Sequence, residues 1–360
     1  MKITFFIGSL YGGGAERVVC NLANYLVNHN HVVRILTMSE SRKRYDLSQE
    51  VTHDYLLSDD EKSNPIIDTL KRVVRLLRYV KNNTNDVYVV FLPVTILLLL
   101  FFRYRVKSKI VASERNSPTL YNVITRILLK LTASKADAWV FQTEAIKAWY
   151  DGSIKNLPTA LIPNAINSEF LVEINRSDIK KTIVSVGRLS NQKRFDILIK
   201  AFSIVHEQCK DYTLEIYGDG PNRNALEALI SEYQLCDNVS LQGNKSPIFD
   251  YINDAAVFVL TSDYEGMPNA LIEAMAMGIP SIATDCIGGG VKYLIEDCVN
   301  GILVPRGDYK KVADAIIWMI DHPNEAHAIG YNARKIVDNL SPEIVYGQWE
   351  KFIDSIVCQK

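Results

Sequence analysis

Short apolar runs alternate along this chain with longer stretches whose apolar positions recur every three or four residues. Residues Ile3 to Gly8 form the first continuous apolar run, which suits a parallel strand buried on both faces. SLYGGGAER follows, then VVCNLANYLVNH with helical spacing. HVVRILT, DVYVVF, KIVASE, AWVFQT and TALIPN read as further strands, with helical stretches between several of them. After Pro163-Asn164 the pattern weakens over INSEFLVEINRSDIKK, which is the expected linker. A second series then runs TIVSVG, FDILIKAFSIVHEQ, YTLEIYG, NALEALISEYQL, VSLQG, IFDYINDA and AVFVLTS. It continues through SDYEGMPNALIEAMAMG, a polar loop opening a helix, into IPSIATD. PEIVYGQWEKFIDSIV closes the chain as a helix. Strand alternating with helix predicts an α/β protein with parallel sheets. The expected domains are 1–165 and 166–340, with a final helix in 341–360 that can pack back on the first domain. Two such domains facing each other leave a cleft lined by strand C-terminal loops, where open parallel sheets bind ligands.

Two stretches bear on surfaces. In PIIDTLKRVVRLLRYVKN, Ile66, Leu70, Val73, Leu77 and Val80 make one stripe, with Lys71, Arg72, Arg75 and Arg78 gathered opposite. That predicts a solvated basic face, or one that docks on an anionic membrane or a phosphate-bearing acceptor. RYRVKSK adds charge of the same sign. The apolar run Phe91 to Phe102 is broken by Pro93 and Thr95 and is too short to span a bilayer, so it reads as a strand end and a core helix.

Composition sharpens this little except in charge. The chain has 360 residues, more than one core usually supports, and a net charge of −1. Residues 1–165 carry 22 Lys and Arg against 14 Asp and Glu, a balance of +8, and the rest holds 18 against 27, or −9. The front half therefore favours anionic partners, unless the opposite charges only help the halves meet. The six cysteines show no metal-ligand spacing and read as free thiols of a reducing compartment. No signal peptide is evident. The expected location is cytoplasmic, with peripheral contact at the inner membrane face through the basic first domain. No nucleic-acid partner is expected.

Candidate chemistry sits in the turns. Gly12, Gly13 and Gly14 lie between a strand and a helix, where backbone N–H groups can approach an anion, although tight-turn geometry alone also explains them. The pattern is neither GxGxxG nor a Walker A, which disfavours a nicotinamide-dependent oxidoreductase. Arg188 and Lys193 follow one strand and precede a helix, a place suited to a diphosphate. Gly218-Asp219-Gly220 ends the next strand, and Gly288, Gly289 and Gly290 open another helix. Glu265 and Glu273 are eight residues apart; a helical rise would separate them by about 12 Å. Glycosidase carboxylates sit at roughly 5 to 9.5 Å, so two grips on one extended ligand fit better.

The spacing of Glu265 and Glu273, preceded by Arg188, Lys193 and Gly218-Asp219-Gly220, resembles the retaining glycosyltransferases of family 4, which have the GT-B fold. The GGGAER turn resembles them too. The match is specific from Gly187 to Pro305 and looser before Ala112. Such enzymes build bacterial surface polysaccharides or lipid-linked oligosaccharides. The resemblance implies two Rossmann-like domains and a hexosyltransferase that takes a nucleotide sugar, expected to be UDP-linked. The implied acceptor is a glycan, expected to be polyprenyl-diphosphate-linked. Arg188 and Lys193 would neutralise the donor diphosphate, and Glu273 would bind ribose hydroxyls. Glu265, with Gly266, Met267, Pro268 and Asn269, would hold the transferred sugar and phosphate. Gly187, Gly218, Asp219 and Gly220 complete the implied donor site, with Gly13 and Gly14 approaching from the other domain. No metal and no cofactor are implied. Many relatives carry a His in the loop after the strand that here reads IVASE; this chain has Glu114, Arg115 and Asn116. Glu114 and Arg115 are candidate catalytic groups in its place. A non-catalytic nucleotide-sugar-binding subunit of a synthase complex is the alternative.

Overall fold

Each strand-and-helix series builds one parallel sheet in the computed structural model, which describes residues 1–40, 45–172, 176 and 178–358. The chain divides into unit 1, Met1–Ala165 with Glu343–Lys360, and unit 2, Ile166–Pro342. Unit 1 runs β1 (Lys2–Ile7), α1 (Gly14–Asn28), β2 (Val32–Thr37), β3 (Thr52–Tyr55), α2 (Pro65–Asn82), β4 (Val87–Phe91), α3 (Pro93–Phe101), β5 (Lys109–Glu114), α4 (Val123–Thr132), β6 (Ala138–Phe141), α5 (Glu144–Tyr150) and β7 (Thr159–Leu161). Unit 2 runs β8 (Lys180–Val186), α6 (Phe195–Gln208), β9 (Thr213–Tyr217), α7 (Arg223–Glu232), β10 (Val239–Gly243), α8 (Phe249–Ile252), β11 (Ala255–Leu260), α9 (Asn269–Ala276), β12 (Ser281–Thr284), α10 (Gly290–Leu294), β13 (Ile302–Val304), α11 (Tyr309–Asp321), α12 (Pro323–Arg334) and α13 (Val337–Leu340). The last helix, α14 (Pro342–Cys358), returns the chain to unit 1.

The first sheet has the order β3-β2-β1-β4-β5-β6-β7 and the second β10-β9-β8-β11-β12-β13, parallel throughout. Right-handed crossovers then fix which face each helix covers. In unit 1, Leu76 of α2, Leu99 of α3, Leu129 of α4 and Tyr150 of α5 share one core with Tyr88, Ala112 and Trp139 of the sheet. The opposite face belongs to α1 and α14. Trp349 of α14 stacks on Phe91 with ring centroids 5.8 Å apart, and Tyr346 meets Tyr25 of α1 at 5.5 Å. His31 and Glu350 are joined at 2.8 Å.

Residues 173–175 and 177, inside the expected linker, lie outside the described residues. What flanks them is packed: Phe170 is fully buried, and Arg176 donates to the carbonyls of Asn253 and Ala255 at 3.2 and 2.6 Å. The apolar run from Phe91 is the end of β4 followed by α3. No helix among the described residues is long and apolar enough to cross a membrane.

One expectation needs correction. Helix α2 forms over Pro65–Asn82, with Asn64 accepting from the Ile66 N–H at 2.9 Å, but its rotation is not the expected one. Ile66 and Leu70, assigned to the apolar stripe, are 73% and 61% exposed, and Val74 is 55% exposed. Three basic residues turn inward instead. Arg72 donates to Met38 O at 3.1 Å, and Lys71 donates to Glu61 O at 3.0 Å. Arg75 grips both Glu61 oxygens at 2.6 Å and donates to Leu56 O at 3.0 Å. Carbonyls and a carboxylate from the loops around β3 draw those cations in, and the helix turns with them.

Trp349 is fully buried against Phe91, whereas Trp318 on α11 is 37% exposed. Trp349→Ala should cost roughly 3–5 kcal/mol in guanidinium denaturation followed by far-UV circular dichroism. Trp318→Ala should cost less than half of that.

Candidate active site

The turn after β8 and the turn after β11 meet at the C-terminal edge of the second sheet. Lys193 comes from the first and Glu265 from the second, 72 residues apart, and the Lys193 Nζ lies 2.6 Å from Glu265 Oε1. The Ser262 hydroxyl donates to the same oxygen at 2.7 Å. Both side chains are largely shielded, 15% exposed for Lys193 and 9% for Glu265. A shielded ion pair stands only when its frame holds both partners in place.

That frame consists of residues the sequence motifs did not single out. The Thr261 hydroxyl donates to the carbonyl oxygens of Lys193 and Arg194 at 2.9 and 3.0 Å. Asp263 N–H donates to Gln192 O at 2.8 Å, and the Gln192 amide donates to Tyr264 O at 2.9 Å. Arg194 bonds Asp196 at 3.0 Å and Asp263 at 3.2 Å. Its backbone is left-handed, with φ of 49°, where it caps α6. Thr284 of β12 anchors Ser262 O at 2.6 Å. The only signals in the sequence were the polar residues flanking the two turns; their pairing is purely tertiary.

The glycines of the neighbouring turns serve this packing. Gly218 has φ of 135°, and a Cβ there would lie 1.9 Å from Gly187 O. A Cβ on Gly288, φ 111°, would lie 1.9 Å from Glu265 O. The close approach inferred from sequence is therefore made, here, by one loop to another. A Cβ on Gly220 or Gly290 would likewise strike the backbone of Leu189 or Gly266. Asp219 is exposed and tied to Arg223 at 3.1 Å and to the Gly220 N–H at 2.7 Å; the Arg223 guanidinium holds its carboxyl below the usual range.

Arg188 stands exposed on the same turn as Lys193, with no ion-pair partner among the described residues. Met267 is buried, Pro268 caps α9, and Asn269 begins it. Glu273 is buried on the second turn of α9, so the two carboxylates occupy a loop and the helix it opens. Cys286, absent from the motifs, lies beside Lys193 and Glu265. Burial and then the Glu265 charge push its thiol up to about 12.

Gly13 and Gly14 belong to unit 1, where Gly13 caps α1 with extended backbone and no side-chain cap. A Cβ on Gly13 would lie 2.1 Å from Glu16 Oε2, so the Glu16 carboxylate is folded against this turn. Burial raises that carboxyl.

Glu114 ends β5, and Arg115 opens the loop after it. Glu114 is fully buried, and its carboxylate frames the loop after β5. Oε1 accepts from the N–H groups of Arg115 and Asn116 at 3.0 and 3.3 Å and from the Tyr121 hydroxyl at 2.7 Å. Oε2 accepts from the Tyr150 hydroxyl at 2.8 Å. Burial pushes the carboxyl up against those donors, and both tyrosines are pushed up as well. Arg115 is 5% exposed, its guanidinium 5.3 Å from the Phe91 ring centroid and 5.6 Å from that of Trp349. None of its three nitrogens has a hydrogen-bond partner among the described residues, and burial pulls it down to about 10. Glu114 thus fixes the loop after β5, and Arg115 packs between Phe91 of β4 and Trp349 of α14.

Two parallel-sheet units, each with ligand-type turns at strand C-terminal ends, define a GT-B architecture. Residues 12–170 match the family described as Glycosyltransferase Family 4, and residues 167–336 match Glycosyl transferases group 1. The chain belongs to the glycosyltransferases of family 4. Among its relatives is a Campylobacter jejuni enzyme, GalNAc-alpha-(1->4)-GalNAc-alpha-(1->3)-diNAcBac-PP-undecaprenol alpha-1,4-N-acetyl-D-galactosaminyltransferase. It is 26% identical over 99% of both chains. The amylovoran biosynthesis glycosyltransferase AmsD of Erwinia amylovora is 27% identical over 76% of this chain and 77% of its own length. The chain spans 41% of an exopolysaccharide phosphotransferase from Streptomyces coelicolor. In fold it resembles Anabaena HepE, solved with UDP-glucose, at a TM-score of 0.85 and 19% identity over 99% of this chain and 100% of that one. Sucrose-phosphate synthase from Thermosynechococcus elongatus gives 0.85 at 19% identity, with both chains fully covered.

At pH 8, a thiol pushed up to about 12 is thiolate in only about one part in 10⁴. Cys286 should therefore resist iodoacetamide while the exposed Cys236 and Cys358 are carbamidomethylated, as read by peptide mass spectrometry.

Proposed function

We propose that this glycosyltransferase moves a hexose-type sugar from a UDP-sugar to a polyprenyl-diphosphate-linked glycan, with retention of anomeric configuration, in the synthesis of a cell-surface polysaccharide. The observation that carries the reading is the shielded Lys193–Glu265 pair at 2.6 Å with Arg188 exposed on the same turn. A leaving nucleoside diphosphate needs cations fixed where its charge develops. Lys193 and Arg188 sit at the entrance to α6, whose N-terminus adds to the same field. In this reading they neutralise the departing diphosphate without a resident metal. Glu265 spends Oε1 on Lys193 and Ser262, which leaves Oε2 to receive a hydroxyl of the transferred sugar. Glu273, with its carboxylate on α9, takes the ribose hydroxyls.

Transfer would proceed on one face of the sugar. The acceptor oxygen bonds to the anomeric carbon as the bond to the diphosphate oxygen breaks, and the acceptor proton passes to the leaving phosphate. That route needs no protein base, which agrees with Glu114 and Arg115 being committed to the framework. Support for the lipid-linked acceptor is the full-length Campylobacter relative together with the basic balance of residues 1–165. The same balance supports peripheral contact with the cytoplasmic face of a membrane. The alternative, a non-catalytic nucleotide-sugar-binding subunit, would keep donor binding but transfer nothing.

Lys193→Ala and Glu265→Ala should each lower transfer by at least about 100-fold. Each strands a shielded partner, so the melting temperature should fall, while far-UV circular dichroism at room temperature stays that of the folded protein. Product formation from a panel of sugar nucleotides and lipid-linked acceptors, read by mass and linkage analysis, checks this. Wild-type activity in either variant removes that residue from the site. Donor binding without any product favours the binding-subunit alternative.

A further inference from the structure

The outward face of a surface helix is normally its polar face. Two helices on one face of the first sheet reverse this. On α2, Ile66, Leu70 and Val74 follow one another at i, i+4 and i+8 on the exposed side. On α4, Val123, Ile127 and Leu131 do the same, 53% to 68% exposed, with Ile124 at 71% beside them. Between the two in sheet order lies α3, apolar throughout its length, packed against α4 and exposing Val94 and Phe101. All three helices take part in the same core underneath, so their outer sides form one layer. An apolar layer of this extent needs a cover.

The charges around it say which. Of the seven Lys and Arg on α2, α3 and α4, Lys71, Arg72 and Arg75 turn inward; Arg78, Lys81, Arg126 and Lys130 remain, and the single acidic residue, Asp68, is buried. The exposed Arg105 and Lys107 follow directly after α3, and Lys130 lies on the outer side of α4. An apolar strip edged by cations with no exposed carboxylate among them matches the headgroup boundary of an anionic bilayer, where side chains enter the acyl region and cations meet phosphates.

We propose that the outer face of α2, α3 and α4 is a membrane-docking surface, and that α4 is its inserting element. The location gives the surface a purpose that rests on the lipid-linked-acceptor reading. Helix α4 begins just after the loop framed by Glu114, and Tyr121 ties that loop to Glu114 at 2.7 Å. Docking α4 therefore holds this loop at the depth where a prenyl diphosphate headgroup emerges. The inward-turned Lys71, Arg72 and Arg75 explain why α2 can present apolar residues outward: their charge is already engaged with Glu61 and with backbone carbonyls.

The test is flotation of the full chain with vesicles of phosphatidylglycerol and phosphatidylethanolamine, and with vesicles of phosphatidylcholine alone. Wild type should float with the anionic vesicles, weakly with the neutral ones, and less at 0.5 M NaCl, a concentration chosen to shorten the screening length to a few ångströms, about 4 Å. Ile124→Asp with Ile127→Asp should reduce the bound fraction about tenfold or more. Both positions are exposed, so the melt and the donor affinity measured without vesicles should match wild type. Flotation of the double variant at wild-type levels overturns the proposal, as does failure of the wild type to float. A concentration-dependent dimer in sedimentation velocity that the double variant abolishes, without flotation, assigns the face to a second copy instead. Flotation by a protein that binds no sugar nucleotide leaves the docking surface standing and sinks the proposed reaction.

Discussion

A lysine and a glutamate shielded from water and 2.6 Å apart are expensive to hold unless each is positioned by something else. The turns of unit 2 are arranged around that requirement. Thr261 fixes the carbonyls on either side of the Lys193–Arg194 bond, Ser262 shares the Glu265 oxygen, and Arg194 braces Asp263 against Asp196. Gly218 and Gly288 are glycine because their neighbours' backbones occupy the Cβ position. The strand ends, the glycine turns and the ionic clasp are thus one construction, and loosening any part of it moves the Lys193–Glu265 pair.

Unit 1 solves a similar problem with different groups. Glu114 gathers two backbone N–H groups and two tyrosine hydroxyls, and Arg115 is lodged between Phe91 and Trp349. The outcome is a fixed loop after β5 and a fixed α14. The loop after β5 is thereby a frame in which Glu114 and Arg115 both lie buried.

Much of the architecture was legible because its signals are local. Buried parallel strands are continuous apolar runs, and the turn glycines fall at strand ends, so sheet type and the two βα series follow from period and punctuation. The short edge strands β3 and β13 were missed, because THDY and ILV make no such run. That Arg188, Lys193 and Glu265 stand at strand-to-helix turns and Glu273 on the helix that follows was legible from period alone. The Lys193–Glu265 contact was not, since nothing in a spacing of 72 residues says that two turns touch. The surroundings of Glu114 and Arg115 were hidden for the same reason, since Tyr121, Tyr150, Phe91 and Trp349 reach them from elsewhere in the chain.

The rotation of α2 carries the same lesson at a surface. Its sequence has apolar residues on more than one side, so periodicity alone chose Ile66 and Leu70 for the core. What decided the matter was where carbonyls and a carboxylate waited. Met38 O, Leu56 O and Glu61 drew Arg72, Arg75 and Lys71 inward, and only Leu76 went deep into the core. Hydrogen bonds to charged groups outweigh the modest gain from burying one aliphatic side chain at a half-exposed edge. A helix turned this way keeps its cations satisfied and leaves its apolar residues unspent. The same arithmetic makes an outward apolar stripe affordable only where something other than water meets it, and α4 presents that stripe without any inward cations to excuse it.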